Sequence, residues 1–239
     1  MSTGASLSRS AEDFIASVMR LRPRVAVFDC DGTLWRDDAG EQFFYWEMER
    51  GLLPPDVVGW IKPRYDDYKA GRVSELDMCG EMVTIHKGLS CEMLDCAAVE
   101  FFGERIACCI FPELLELTHR LQASGCELWA VSSTNDWVVR AAAPRFGFPP
   151  ERIVAARVGV ENGKATDRLL RVPTDELKAA AIRELLPRMP DAAFGNSMHD
   201  LQMLELAEHA FAVNPNADLE KVARERGWTI YHPEIKNAK

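Results

Sequence analysis

Val25-Ala26-Val27-Phe28-Asp29-Cys30-Asp31-Gly32-Thr33-Leu34 is the stretch that decides the fold. Four apolar, β-prone residues closely follow Pro23 and read as a short buried strand that stops at an acid. Asp29 and Asp31 stand two residues apart, so their side chains point the same way while the chain stays extended. Carboxylates that close repel each other unless a cation lies between them or one carries a proton. The stretch is therefore a strand that runs straight into a loop made for charge.

Working outward, other short apolar runs end in small or polar residues. Glu127–Val131 ends in Ser132, Ala192–Phe194 in Gly195, Ala210–Val213 in Asn214-Pro215, and Thr229–Tyr231 in His232-Pro233. Ile153–Val154 and Arg157–Val160 predict a strand pair or hairpin, with Glu161-Asn162-Gly163 as the turn signal. Helical spacing fills the gaps: Leu114, Leu117 and Leu121 share a face, as do Leu177, Ala181 and Leu185, and Leu201, Leu204 and Leu206 follow less strictly. Thr174 before Asp175 and Glu176 predicts an N-cap with an acidic first turn, and another helix is expected to start near Asn135-Asp136. This alternation predicts an α/β fold, a Rossmann-like parallel sheet with helices on both faces. Residues 37–110 carry helical patterning and no convincing strand. They are expected to form an inserted all-helical cap over the carboxyl edge of the sheet, leaving 1–36 and 111–239 as the core; ligands of open α/β sheets bind at that edge.

The composition fits such a domain. Of 239 residues, 47% are hydrophobic and 27% charged, which argues against disorder. With 28 Lys and Arg against 37 Asp and Glu the net charge is −9, unsuited to nucleic acid or anionic membrane surfaces. No run approaches the roughly 18 apolar residues of a membrane span. The stretch 1–24 is charged throughout and does not read as a secretory signal. Seven cysteines, an odd number with no CxxC pair, predict reduced thiols in a cytoplasmic protein and no zinc site.

The string DxDGTL, a strand ending in Ser132, Lys178 early in a helix, and Gly195-Asn196-Ser197-Met198-His199-Asp200 occur in order along nearly the whole chain. Together they resemble the haloacid dehalogenase-like superfamily, and most of all its phosphatase branch that includes phosphoserine phosphatase. The residues themselves suit that chemistry. A phosphate monoester is anionic, so a carboxylate nucleophile needs a divalent cation to approach it. The resemblance implies a Mg2+-dependent phosphatase acting on a small-molecule phosphate ester through an aspartyl-phosphate. Asp29 is then the nucleophile and Asp31 the acid that protonates the leaving alcohol and later activates water. Ser132, Ser133, Lys178 and Gly32 would bind the phosphate, and Asp29, Asp31, Asn196 and Asp200 the metal, with orientation of Lys178 as the other task open to Asp200. The fourth motif departs from the usual GDxxxD, since Asn196 replaces its first acid. An amide oxygen still ligates a hard cation, but without the charge.

Substrate selection is expected from the helical segment. It holds 15 acids and 7 Lys and Arg, nearly all of the net negative charge, together with many aromatic residues. Acids and aromatic faces both attract ammonium groups, which suggests a phosphoserine-like or amino-alcohol phosphate. Glu41 is the best-placed acid, and Arg64 and Arg72 are candidates to meet a substrate carboxylate. Three rival readings remain open. A dehalogenase would not need Asp31. A phosphonate hydrolase needs a cap lysine, for which Lys62, Lys69 and Lys87 are available. A weakly active phospho-ligand-binding protein is suggested by Asn196. Trp35 is expected to pack at the junction of core and cap, and Lys164 to lie on an exposed hairpin.

Overall fold

The computed structural model describes residues 7–234. Seven strands form one sheet: β1 (Val25–Phe28), β2 (Glu127–Asn135), β3 (Ile153–Glu161), β4 (Lys164–Arg171), β5 (Ala192–Gly195), β6 (His209–Val213) and β7 (Thr229–Tyr231). Their order is β4-β3-β2-β1-β5-β6-β7, and every neighbouring pair is parallel except β3 with β4. The chain is an α/β protein with a mostly parallel sheet. All four residues of β1 are buried, as expected of a strand covered on both faces.

The pleat of β1 divides the core. Ala26 and Phe28 face a cluster with helices α1 (Arg9–Leu21), α6 (Pro112–Ala123) and α7 (Asp136–Phe146). Val25 and Val27 face the opposite cluster, with α8 (Glu176–Leu185), α9 (Leu201–Leu206) and α10 (Ala217–Arg226). Leu114, Leu117 and Leu121 line the buried side of α6 as their spacing predicts. Between β1 and β2 the chain forms α2 (Ala39–Glu49), α3 (Pro55–Lys69), α4 (Glu75–Thr84) and α5 (Cys91–Phe101). Phe44, Leu53, Ile61, Tyr65 and Met78 give these helices a core of their own, while Phe43, Trp46 and Phe101 join the main core. Ser74 and Ser90 cap α4 and α5 by accepting from Asp77 N and Met93 N.

Four details differ from the sequence reading. Ile153–Glu161 is one continuous strand, and its hairpin partner is 164–171 across the Asn162-Gly163 turn, because Ala155 and Ala156 are small and buried and do not break it. Lys164 is exposed at the start of that partner strand. Strand β2 continues beyond Val131 to Asn135, and its register against β3 shifts between Val131 and Asn135. Helix α8 is capped at Asp175, not Thr174, and its buried face is Lys178, Ala179, Ala181 and Ile182, with Leu177 exposed. No helix among the described residues is long and apolar enough to cross a membrane.

The pair of His86 and Glu47 is wholly buried between the helices and the sheet's α7. His86 Nε2 donates to Glu47 Oε2 at 2.7 Å and Nδ1 donates to Val83 O at 3.2 Å, with Trp137 of α7 against the ring. Val83 O only accepts, so Nδ1 carries a proton, and the ring is an imidazolium wherever Glu47, itself raised by burial, is ionised. Burial opposes that charge, but the Glu47 carboxylate outweighs it and holds His86 above its usual value. Glu47→Ala would leave a buried cation unpaired, which costs about 3–5 kcal/mol. We expect urea unfolding to show that loss; a change within experimental error would mean the imidazole is neutral in the fold.

Candidate active site

The carboxyl ends of β1, β2 and β5 meet where the strand order reverses about β1, the place at which open α/β sheets bind ligands. Asp29 extends β1 by one residue, its amide donating to Phe194 O of β5 at 2.9 Å. The chain then turns sharply, with Thr33 N and Leu34 N donating to Cys30 O. Gly32 has φ +76°, and a Cβ there would lie 1.9 Å from Asn196 Nδ2. Glycine is therefore required for backbone conformation and for the close approach of the loop after β5.

Lys178, in the first turn of α8, is buried and reaches across this edge. Its Nζ donates to Asp29 Oδ1 at 2.7 Å and to Asp200 Oδ1 at 2.5 Å. Asp29 Oδ2 accepts from Thr33 Oγ1 at 2.9 Å, so both carboxylate oxygens are oriented. Asp200 is fully buried, and its Oδ2 accepts the amides of Asn196 and Ser197 at 2.9 and 3.1 Å. A Cβ on Gly195 would stand 2.6 Å from that of Asp200, so the acid packs directly against the end of β5. With both oxygens engaged in this way, Asp200 orients Lys178 and the loop.

Asp31 is held by three donors: Trp35 Nε1 at 2.8 Å and Ala39 N at 2.6 Å on Oδ1, and Thr134 Oγ1 at 2.6 Å on Oδ2. Burial pushes its pKa up to about 7, with Asp38 adding to the rise and the Thr134 and Ala39 hydrogen bonds opposing it. Burial and the nearby Asp200 charge raise Asp29 to about 6 against the pull of Lys178. The two carboxyls thus sit where protons exchange near neutrality.

A cavity of about 280 Å³ opens over this group. Asp29, Asp31, Gly32, Ser133, Lys178 and Asn196 line it, and so does Glu41. Ser132 does not; it is buried beneath, its Oγ accepting from Thr134 N at 3.2 Å. The register shift in β2 explains this, since a bulge re-aims side chains and here brings Ser133 and Thr134 to the surface of the cavity. Arg64 and Arg72 do not reach it; they pair with Glu81 and Asp67 at 2.8 and 2.5 Å. Sequence reasoning missed Thr134, the indole contact of Trp35, and the cavity-lining Tyr65, Tyr68 and Glu75. The aromatic and acidic bias of 37–110 was the available signal for the last three, but it does not tell one helix face from another.

The donors also bear on a metal. Among the described residues no group of three or more His, Cys, Asp or Glu is placed to hold a metal ion. Of the four ligands expected from the sequence, Asp29, Asp31 and Asn196 line the cavity and Asp200 does not. Such a set fits a hard divalent cation completed by water and phosphate oxygens, and not a softer metal.

The sequence profile of haloacid dehalogenase-like hydrolases matches residues 26–205. The chain belongs to this family. Phosphoserine phosphatase SerB1 of Mycobacterium tuberculosis is 28% identical over 86% of this chain and 69% of its own length. The histidinol-phosphatase of Neisseria meningitidis is 25% identical, covering 86% of this chain and 97% of that protein. The crystal structure of a Bordetella pertussis Tohama I protein of unknown function shares the fold, with a TM-score of 0.76 at 21% identity over 87% of this chain and 97% of that one. As a haloacid dehalogenase-like hydrolase, this protein is an enzyme.

The lysine at its centre has a measurable thermodynamic signature. The folded pKa of Asp29, about 6, exceeds the unfolded value of about 3.9. Its contribution to stability is therefore present at low pH and lost as pH rises through 6. Lys178→Met removes the cation that opposes this loss. In the presence of a chelator, we expect unfolding free energy to fall by about 3–5 kcal/mol at pH 8 and by clearly less at pH 5. Equal losses at the two pH values would mean that Asp29 and Asp200 are not what Lys178 stabilises.

Proposed function

We propose that this hydrolase is a Mg2+-dependent phosphatase of small phosphomonoesters, that residues 37–110 act as its cap, and that it works in the cytoplasm. The observation that carries the reading is the buried contact of Lys178 with Asp29 on the floor of the cavity. It leaves one carboxylate oriented by Lys178 and Thr33 and open to an incoming phosphorus. The names of the phosphatase relatives support the same reaction class. A dehalogenase has no use for the proton-carrying Asp31.

In the first step an Asp29 oxygen bonds to phosphorus while the ester P–O bond breaks. Asp31, protonated, gives its proton to the leaving alcohol oxygen. Its pKa of about 7 suits a group that must hold a proton and then take one back. In the second step Asp31 accepts a proton from water as the water oxygen bonds to phosphorus, and the bond to Asp29 breaks to release phosphate. Lys178 stays charged throughout and stabilises the transferring oxygens, while Ser133 and the turn at Gly32 offer donors to the others. A divalent cation held by Asp29, Asp31 and Asn196 would neutralise phosphate charge.

Asp29→Asn keeps the size of the side chain and removes its nucleophilicity. We expect a folded protein that retains less than a few per cent of wild-type turnover of an aryl phosphate; greater residual turnover would exclude the covalent route. Asn196→Asp adds a ligand charge, and charge count tunes affinity for hard cations. The Mg2+ concentration for half-maximal activity should drop about tenfold, equivalent to roughly 1.4 kcal/mol. An unchanged midpoint, measured at saturating substrate and constant ionic strength, would remove Asn196 from the cation.

A further inference from the structure

One part of the cavity lining comes from α2 with its N-cap, α3 and α4, and its charge is one-sided. Asp38, Glu41 and Glu75 line it, with the rings of Tyr65 and Tyr68 between them. Glu41 has its own cation, Lys69, at 3.3 Å, and that ammonium lies 5.8 Å from the centre of the Tyr65 ring. Asp38 and Glu75 have no Lys, Arg or His partner among the described residues. Glu75 is held only by neutral donors, the Tyr68 hydroxyl, Ser133 Oγ at 3.3 Å and Cys79 Sγ at 3.5 Å. Asp38, exposed at the rim, accepts the Glu41 amide at 2.8 Å and has Glu41, Glu75 and Lys69 as charged neighbours. The Ser133 contact puts Glu75 beside the phosphate end of the cavity.

Arg36 and Lys178 are the arginine and lysine in the lining, and His199 lies there too, its Nδ1 2.8 Å from Asp175 Oδ1. Arg36 is paired with Asp37 at 3.1 Å, and Lys178 is enclosed by Asp29 and Asp200. Each of these groups already has an acidic partner, and the arginines expected to meet a substrate carboxylate are engaged elsewhere. A second anionic group on the substrate would face Asp38 and Glu75 at close range with low-dielectric walls, where like charges repel strongly. An ammonium would meet two carboxylates and the face of Tyr68, as the Lys69 ammonium meets Glu41 and Tyr65 next to it.

We propose that the enzyme takes phosphomonoesters of cationic alcohols that lack a carboxylate, with the substrate cation held between Asp38 and Glu75 against Tyr68. This rests on the phosphatase reading above. The test is kcat/KM with Mg2+ for four compounds: an aryl phosphate, propyl phosphate, phosphoethanolamine and phosphoserine. Propyl phosphate differs from phosphoethanolamine by a methyl in place of the ammonium, and phosphoserine adds a carboxylate to it. Phosphoethanolamine should exceed each of these two at least tenfold. In Glu75→Gln, which keeps the size of the side chain and one of its two acceptor oxygens, the ratio of phosphoethanolamine to propyl phosphate should fall at least tenfold. Asp38→Asn, which keeps the helix cap, should lower the same ratio. Turnover of the aryl phosphate with no preference for the cationic ester, or a preference for phosphoserine, overturns the subsite and leaves the phosphatase reading standing. No turnover of any of the four overturns both.

Discussion

One ammonium group between two buried carboxylates holds the working end of this protein together. Lys178 Nζ joins Asp29, which closes β1, to Asp200, which follows β5, and it does so from the first turn of α8. A cation at a helix start is opposed by the helix dipole, and its removal from water costs several kcal/mol more. Only the two acids repay that, so the three side chains form a unit in which none is replaceable alone. The unit also sets the loops. Asp200 takes two main-chain amides with its second oxygen, which fixes the turn that carries Asn196 to the face of Gly32.

The second constraint is steric and belongs to β2. Val131 pairs with Val154, but it is Asn135 that pairs with Ala156, so three residues of β2 stand where β3 has one. The surplus turns Ser133 and Thr134 toward the cavity and sinks Ser132. Thr134 then reaches Asp31, whose other oxygen is taken by the Trp35 indole and the first amide of α2. In this way a strand, a loop and a helix that are distant in sequence settle the orientation of one carboxyl. Glu75 meets Ser133 at the same bulge, which gives α4 a contact with the sheet edge.

Much of this was legible in the sequence because the sheet is simple there. Strands β1, β5 and β6 end where an apolar run meets Asp29, Gly195 or Asn214. The run Glu127–Val131 was legible as strand, whereas its extension was not, because Ser-Ser-Thr-Asn reads as loop and only pairing with β3 makes it strand. Leu177 was placed on the buried face by spacing, yet the burial of Lys178 rotates that face away. Such a rotation depends on two acids distant in the chain. Arg64 and Arg72 are candidates for a substrate carboxylate in the sequence because it does not display Glu81 and Asp67 beside them. Long-range pairing is what remained hidden in every case.

Charge balance connects Asn196 to the rest of the cavity. The lining carries acids at 29, 31, 37, 38, 41 and 75 against Arg36 and Lys178. A phosphate dianion must enter that field. Burial relieves part of the repulsion by holding Asp31 and Asp29 near their protonated forms. An amide at 196 relieves more, since a carboxylate there would add another charge against Gly32, within reach of Asp29. Asp200 adds little to that field, since it is buried behind Lys178, which takes its Oδ1. What remains uncancelled lies on the side of the cavity lined by Asp38 and Glu75, so the field is graded from compensated at Lys178 to negative at those two acids. An ester with phosphate at one end and positive charge at the other aligns with that gradient before any hydrogen bond forms.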